Sequence, residues 1–228
     1  MAELNDETDG VAARVSQVAA PVTALGPGRR LGVWFQGCTL ACPGCMSRHT
    51  WEPTGGRELT TGRFAGLWRD ALAGGVDGLT VSGGEPLEQP AALAGLLAAA
   101  DRVRRSAGVE ADLLVYTGWE LADALADPAA AAALARADAV VTGRYLAGRP
   151  TDLVWRGSAN QRIVPLSALG ERRYAPYLER RTERPDLQVR VSDGELRIIG
   201  VPRPGDLGRI ERELRERGVT VRETTWRP

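Results

Sequence analysis

The sequence predicts an α/β protein: a partial, open (β/α)6-type barrel of parallel strands, followed by a small C-terminal ββαβ extension. Three observations carry this. Short apolar runs suited to buried strands alternate with stretches of helical periodicity, which implies right-handed crossovers and a parallel sheet. The chain has 228 residues, fewer than the roughly 250 typical of a complete eight-unit barrel. Towards its end the alternation gives way to a hairpin signature and one amphipathic helix.

Residues 1–13, MAELNDETDGVAA, are polar and acidic with no apolar periodicity, so a disordered tail is expected there, with order beginning near Arg14. The barrel domain is expected over 14–182 and the extension over 183–228. RVSQVAAPVTALGPGRR reads as a short strand and a Pro/Gly turn, and RLGVWFQG as a buried strand. Phe64, Leu67, Trp68, Ala71 and Leu72 recur at helical spacing and predict one apolar face, capped by Thr60 or Thr61. DGLTVSGGEP is a strand running into a glycine turn. Leu93, Leu96, Leu97 and Ala100 mark a second helix, and ADLLVYTG a third strand. An alanine-rich stretch predicts more helix, and ADAVVTG a fourth strand. LQVRVSDGELRIIGV reads as a hairpin turning at Asp193 and Gly194, the pair that two-residue turns favour. Leu207, Ile210 and Leu214 line one side of a last helix, with Glu211–Arg215 and Glu213–Arg217 as i,i+4 pairs on exposed faces. VTVRETTW is expected to return as a strand.

The charge is balanced, with 29 basic and 29 acidic residues, so nothing draws the chain as a whole to nucleic acid or to an anionic membrane. Neither is expected as a partner. No run approaches the roughly 18 apolar residues of a membrane helix, and the N-terminus lacks a basic flank followed by an apolar core. A cytoplasmic protein is the expectation.

The chemistry gathers in GCTLACPGC. Cys38, Cys42 and Cys45 stand at Cys-x3-Cys-x2-Cys and are the chain's only cysteines. An odd number so closely spaced makes no disulfide framework and points to metal or redox chemistry. A structural zinc site closes with four ligands, so the single histidine, His49, would have to be the fourth; an electron-transfer cluster normally takes four cysteines. Three thiolates on a cubane leave one iron open, as a site that must bind substrate requires. The missing fourth cysteine favours the open cluster over a Cys3His zinc module. In SGGEP, Gly83, Gly84 and Glu85 read on their own as a strand-to-helix turn with Pro86 opening the helix. Trp34, Phe35 and Trp51 flank the cysteine loop as packing that keeps water and oxygen away.

The cysteine loop after one strand and SGGEP after the next resemble the radical S-adenosylmethionine superfamily. WFQGCTLACPGCMSRHTW, LTVSGGEPL, LLVYTGW and LVWRGSANQRIV, in this order, resemble the activating proteins of anaerobic ribonucleotide reductase, which are glycyl-radical-enzyme activases. The resemblance spans roughly residues 20–165. It implies that Cys38, Cys42 and Cys45 ligate a [4Fe-4S] cluster and that S-adenosylmethionine chelates the open iron. Reductive cleavage would give a 5′-deoxyadenosyl radical, chemistry that the cofactors carry while the protein orients and shields them. It further implies that Gly83 and Gly84 admit the methionine moiety, that Glu85 accepts from its ammonium group, that Thr117 lies on the ribose side and that Arg144 approaches the carboxylate. The implied partners are a glycyl radical enzyme and a reductant such as flavodoxin or ferredoxin. Where the family often has an Asp, this chain has Thr142. Two rival readings stay open: the same chemistry on a peptide or small metabolite, and a non-catalytic iron–sulfur or zinc module.

Overall fold

In the computed structural model, which describes residues 10–192, 194–221 and 224–225, the alternating runs build one seven-stranded sheet and a separate two-stranded hairpin. The N-terminal part comprises β1 (Ala12–Val22), β2 (Arg30–Phe35), β3 (Arg57–Thr60), α1 (Thr61–Ala73), β4 (Gly78–Gly83) and α2 (Pro90–Ser106). Then come β5 (Asp112–Tyr116), α3 (Leu121–Ala126), α4 (Pro128–Leu134), β6 (Ala139–Thr142) and β7 (Arg162–Pro165). The chain closes with α5 (Ala168–Tyr174), the hairpin β8 (Leu187–Ser192) and β9 (Glu195–Gly200), and α6 (Asp206–Glu216). Among the described residues no helix is long and apolar enough to cross a membrane.

The sheet order is β3-β1-β2-β4-β5-β6-β7. Only β2, β4, β5 and β6 run parallel; β1, β3 and β7 pair antiparallel. This corrects the expected six parallel units. A parallel neighbour needs a crossover long enough to return the chain to the same end of the sheet. The turn after β1 is too short for that, and the 143–161 segment after β6 holds no helix, so β2 and β7 each come back antiparallel to the strand before them. The mixed α/β class holds, with an open seven-stranded sheet as the observed architecture.

Alternation along the strands divides the core. Leu31, Val33 and Phe35 of β2, Leu79 and Val81 of β4, Leu113 and Val115 of β5 and Val140 of β6 face α1, α2 and α4, where Phe64, Trp68, Leu93, Leu96, Leu97 and Leu134 cover them. Thr60 caps α1, its hydroxyl accepting from Arg63 N at 3.3 Å. Phe64 and Trp68 are buried as predicted, but Leu67 is 37% exposed, because the helix turns it past the edge of that contact. The opposite face carries Trp34, Leu114, Tyr116, Ala139 and Val141. The chain's own C-terminal part covers it, with Tyr174 and Leu178 on one half and Ile199 and Val201 on the other.

β1 begins at Ala12, two residues before the expected onset of order, because Ala12 and Ala13 pair with Thr60 and Leu59 of β3. The hairpin forms in the expected register, Ser192 opposite Glu195; Asp193 of its turn lies outside the described residues, as do Arg222, Glu223 and Trp226 of the expected final strand, whose described residues, 219–221 and 224–225, form no strand. Glu211, expected on an exposed face of α6, is buried.

Candidate metal centre at the strand ends

The loops that leave the carboxyl ends of β2, β4, β5 and β6 meet at one rim of the sheet, the place where open α/β sheets bind ligands. The cysteine loop leaves β2. Its backbone turns through positive φ at Gly37, Ala41 and Gly44. Gly37 N donates to Thr50 O at 2.7 Å and Cys38 N to Trp51 O at 3.1 Å, so the loop's two ends are paired. Gln36 Nε2 ties the same base by donating to the carbonyls of His49 and Glu52, at 3.0 and 2.6 Å. Arg48 stacks its guanidinium over Trp51, 5.2 Å from the ring centroid.

Cys42 is buried, and Cys38 and Cys45 are half-buried; all three are free thiols. Cys45 Sγ accepts from Ser47 N at 3.4 Å. Burial pushes the Cys38 thiol up to about 11, against the pull of the Leu40 and Ala41 amides and with the help of Glu85 and Glu88. A coordinating thiol is deprotonated outright by the cation it meets, which removes that handicap. Among the described residues no three Cys, His, Asp or Glu side chains are already drawn together as a cage. The donor set nonetheless suits iron and sulfide: three soft thiolates on one short loop, with His49 exposed in the neighbouring turn.

The Gly-Gly-Glu turn is locked to this loop. Gly84 N donates to Phe35 O and Glu85 N to Gly37 O, both at 2.8 Å, continuing the β2–β4 pairing past the strand ends. A Cβ on Gly84 would stand 2.1 Å from Gly37 O, and one on Gly83, where φ is +107, would stand 2.4 Å from Phe35 N. Only bare backbone fits at either position. The close approach is thus to the residue before Cys38.

Glu85 is almost fully buried. Its carboxylate accepts from Leu87 N at 2.9 Å, Thr117 Oγ1 at 2.8 Å and Gly118 N at 2.7 Å. Burial pushes it up to about 7, with these three donors pulling the other way and Glu88 adding to the rise. Glu85 therefore fastens the β4 turn to the β5 turn. Thr117 is occupied in the same way, its hydroxyl also accepting from Trp119 N at 3.1 Å. Arg144 donates to Leu40 O, between the first two cysteines. Thr142 is buried at the end of β6.

Glu88 and Gln89, which carry no local sequence signal, and the WRGSANQ segment, which the resemblance marks, also hold this rim. Glu88 Oε1 accepts from Thr39 N and Thr39 Oγ1, at 2.8 and 2.6 Å. Gln89 donates to the carbonyls of Arg14 and Gln36, at 3.0 and 2.8 Å. Asn160 donates to Arg144 O at 2.8 Å and Gln161 to Gly143 O at 2.9 Å, joining the WRGSANQ segment to the β6 turn.

At the opposite end of the strands lies a buried ionic cluster. Arg30 donates to both oxygens of Asp112, at 3.0 and 2.7 Å, and to Thr80 Oγ1 at 2.6 Å. Tyr174 donates to Asp112 as well. Burial raises the Asp112 carboxyl, but Arg30 outweighs it and holds the group below the usual carboxylate range.

The sequence pattern of the 4Fe-4S single cluster domain family matches residues 24–164. The anaerobic ribonucleoside-triphosphate reductase-activating protein of Pasteurella multocida is 36% identical over 141 residues, which cover 60% of this chain and 88% of that protein. The proteins of the same name from Escherichia coli and Enterobacteria phage T4 are 30% and 29% identical, over 88% and 85% of their lengths and 60% of this chain. The match takes in the cysteine loop, the Gly-Gly-Glu turn and the strand-end segments that converge on them, and on that ground the chain belongs to the 4Fe-4S single-cluster family of anaerobic ribonucleoside-triphosphate reductase-activating proteins.

Proposed function

We propose that this chain is a radical S-adenosylmethionine enzyme of the activase type, which holds a [4Fe-4S] cluster through Cys38, Cys42 and Cys45 and acts on a glycyl radical enzyme. One observation carries the reading. Three thiols and no fourth cysteine sit on a strand-end loop, and a Gly-Gly-Glu turn is bonded directly to the base of that loop. Bound together, the cluster and S-adenosylmethionine supply an electron and a 5′-deoxyadenosyl radical able to remove a hydrogen atom from a glycine Cα.

The chain's own contribution is positioning and exclusion of water. Gly83 and Gly84 bring the β4 turn against the cysteine loop, and Glu85 fixes that turn to Thr117 and Gly118. Arg144 and Glu88 brace the loop from either side at Leu40 and Thr39. Because Glu85 already accepts three hydrogen bonds, it has capacity for about one more donor of the four that a carboxylate takes. The relatives' names support an anaerobic ribonucleotide reductase as the partner class.

Co-expression with a glycyl-radical enzyme, followed by anaerobic paramagnetic resonance, tests this. A glycyl doublet that disappears in Cys38→Ala is the expected result. Consumption of a small peptide or metabolite with release of 5′-deoxyadenosine, and no doublet on any glycyl-radical enzyme, would move the activity to another substrate.

A further inference from the structure

Tyr145 presses on the cysteine loop from the segment after β6. Its neighbour Arg144 holds Leu40 O, in the interval between Cys38 and Cys42. Tyr145 lies in the next interval, against Gly44, between Cys42 and Cys45. A Cβ on Gly44 would be 3.5 Å from Tyr145 Cε1 and 3.9 Å from its hydroxyl oxygen. On the ring's other side, a Cβ on Gly157 would stand 2.9 Å from Cδ2. The ring is therefore slotted between two glycines, one on the cysteine loop and one on the WRGSANQ segment; a Cβ at Gly157 would have to displace it, while one at Gly44 would meet it in ordinary contact.

The hydroxyl of Tyr145 has no hydrogen-bond partner among the described residues. A phenol hydroxyl donates as well as accepts, so this one has a proton free to offer. The main chain already serves the other sulfurs, through Leu40 and Ala41 at Cys38 and Ser47 at Cys45.

We propose that Tyr145 is a positioning residue of the metal centre, whose hydroxyl donates a hydrogen bond to sulfur on the Cys42–Cys45 side of the cluster and so raises its reduction potential. Reduction adds negative charge to the cluster. A fixed donor aimed at its sulfur stabilises the reduced form more than the oxidised one, which is how hydrogen bonds tune such centres. The inference rests on the family's cluster and not on the radical chemistry, so a chain that failed to cleave S-adenosylmethionine would leave it standing.

The test is a potentiometric titration of the anaerobically reconstituted full chain, followed by paramagnetic resonance, in wild type and Tyr145→Phe. The phenylalanine ring fills the same slot, so a role in packing alone predicts no change. The expected result is unchanged iron and sulfide content with a midpoint potential shifted to more negative values. Gly157→Ala keeps the hydroxyl but pushes the ring that carries it off its position, and is expected to shift the potential in the same direction. A full cluster at the wild-type potential in Tyr145→Phe overturns the proposal. So does loss of the cluster in that variant, because the packing is intact there.

Discussion

A single methyl group added at Gly84 would collide with the Gly37 carbonyl, 2.1 Å away. The residues show a glycine turn, and the family resemblance gives it a ligand to admit; the structure gives that space to the chain's own backbone. Gly84→Val is therefore expected to lower iron and sulfide content itself, and not only affinity for S-adenosylmethionine. A variant that loads a full cluster would show that the loop tolerates the displacement. Glu85→Ala removes the acceptor for Leu87 N, Thr117 Oγ1 and Gly118 N. Leaving buried donors unpaired should cost about 2–3 kcal/mol in urea unfolding, with Glu85→Gln costing less. The cysteines and the Gly-Gly-Glu turn were legible because each motif is local in sequence. Glu88, Gln89 and Tyr145 were not, because what they hold lies far along the chain and an ordinary Glu, Gln or Tyr gives no sign of its distant partner.

Periodicity located helices α1 and α2, since a face that recurs every three or four residues is written in the chain itself. The strands β3 and β7 were missed. Each has four residues, too short to show alternation, and each exists because a neighbouring edge accepts it. The buried pair of Arg30 and Asp112 was hidden for a related reason: a charged residue at a strand end reads as exposed until the fold closes over it. Both side chains are fully buried, so Asp112→Ala should destabilise the protein by about 3–5 kcal/mol, leaving Arg30 charged and unpaired. The pH dependence is set by the direction of the Asp112 shift. A carboxyl held below its unfolded value, about 3.9, contributes stability that is present above that pH and is lost as the pH falls through its folded value. Acid unfolding of the Asp112→Asn variant should accordingly show a shallower loss of stability below about pH 4 than the wild type. Equal slopes in the two proteins would place the acid sensitivity elsewhere.

The family match ends at residue 164, and the C-terminal residues beyond it cover the face of the sheet opposite the helices. Tyr174 packs edge-on to Trp155, ring centroids 6.3 Å apart, and Ile199 lies on Ala19, Val22 and Leu25. Gln188 and Arg190 both donate to Pro21 O, at 2.9 and 2.5 Å, and Thr225 donates to Met46 O at 2.8 Å, beside the last cysteine. The match covers most of each relative's length, so the relatives have no room for a unit of this size and this chain covers that face with residues of its own. Ile199→Asp should strip hydrogen-exchange protection from β8 and β9 while β4 and β5 keep theirs; uniform loss would mean that the hairpin is integral to the sheet's stability. The hairpin itself was legible from its turn pair. Its docking place was not, since nothing in its own residues names β1. The central claim, a three-thiolate cluster that cleaves S-adenosylmethionine, is tested most directly by anaerobic reconstitution and measurement of 5′-deoxyadenosine after addition of a reductant. The predicted result is about four irons per chain, with 5′-deoxyadenosine formed by the wild type and by His49→Ala but by none of Cys38→Ala, Cys42→Ala and Cys45→Ala. Stoichiometric zinc in place of the cluster, or a full cluster that releases no 5′-deoxyadenosine, would contradict it.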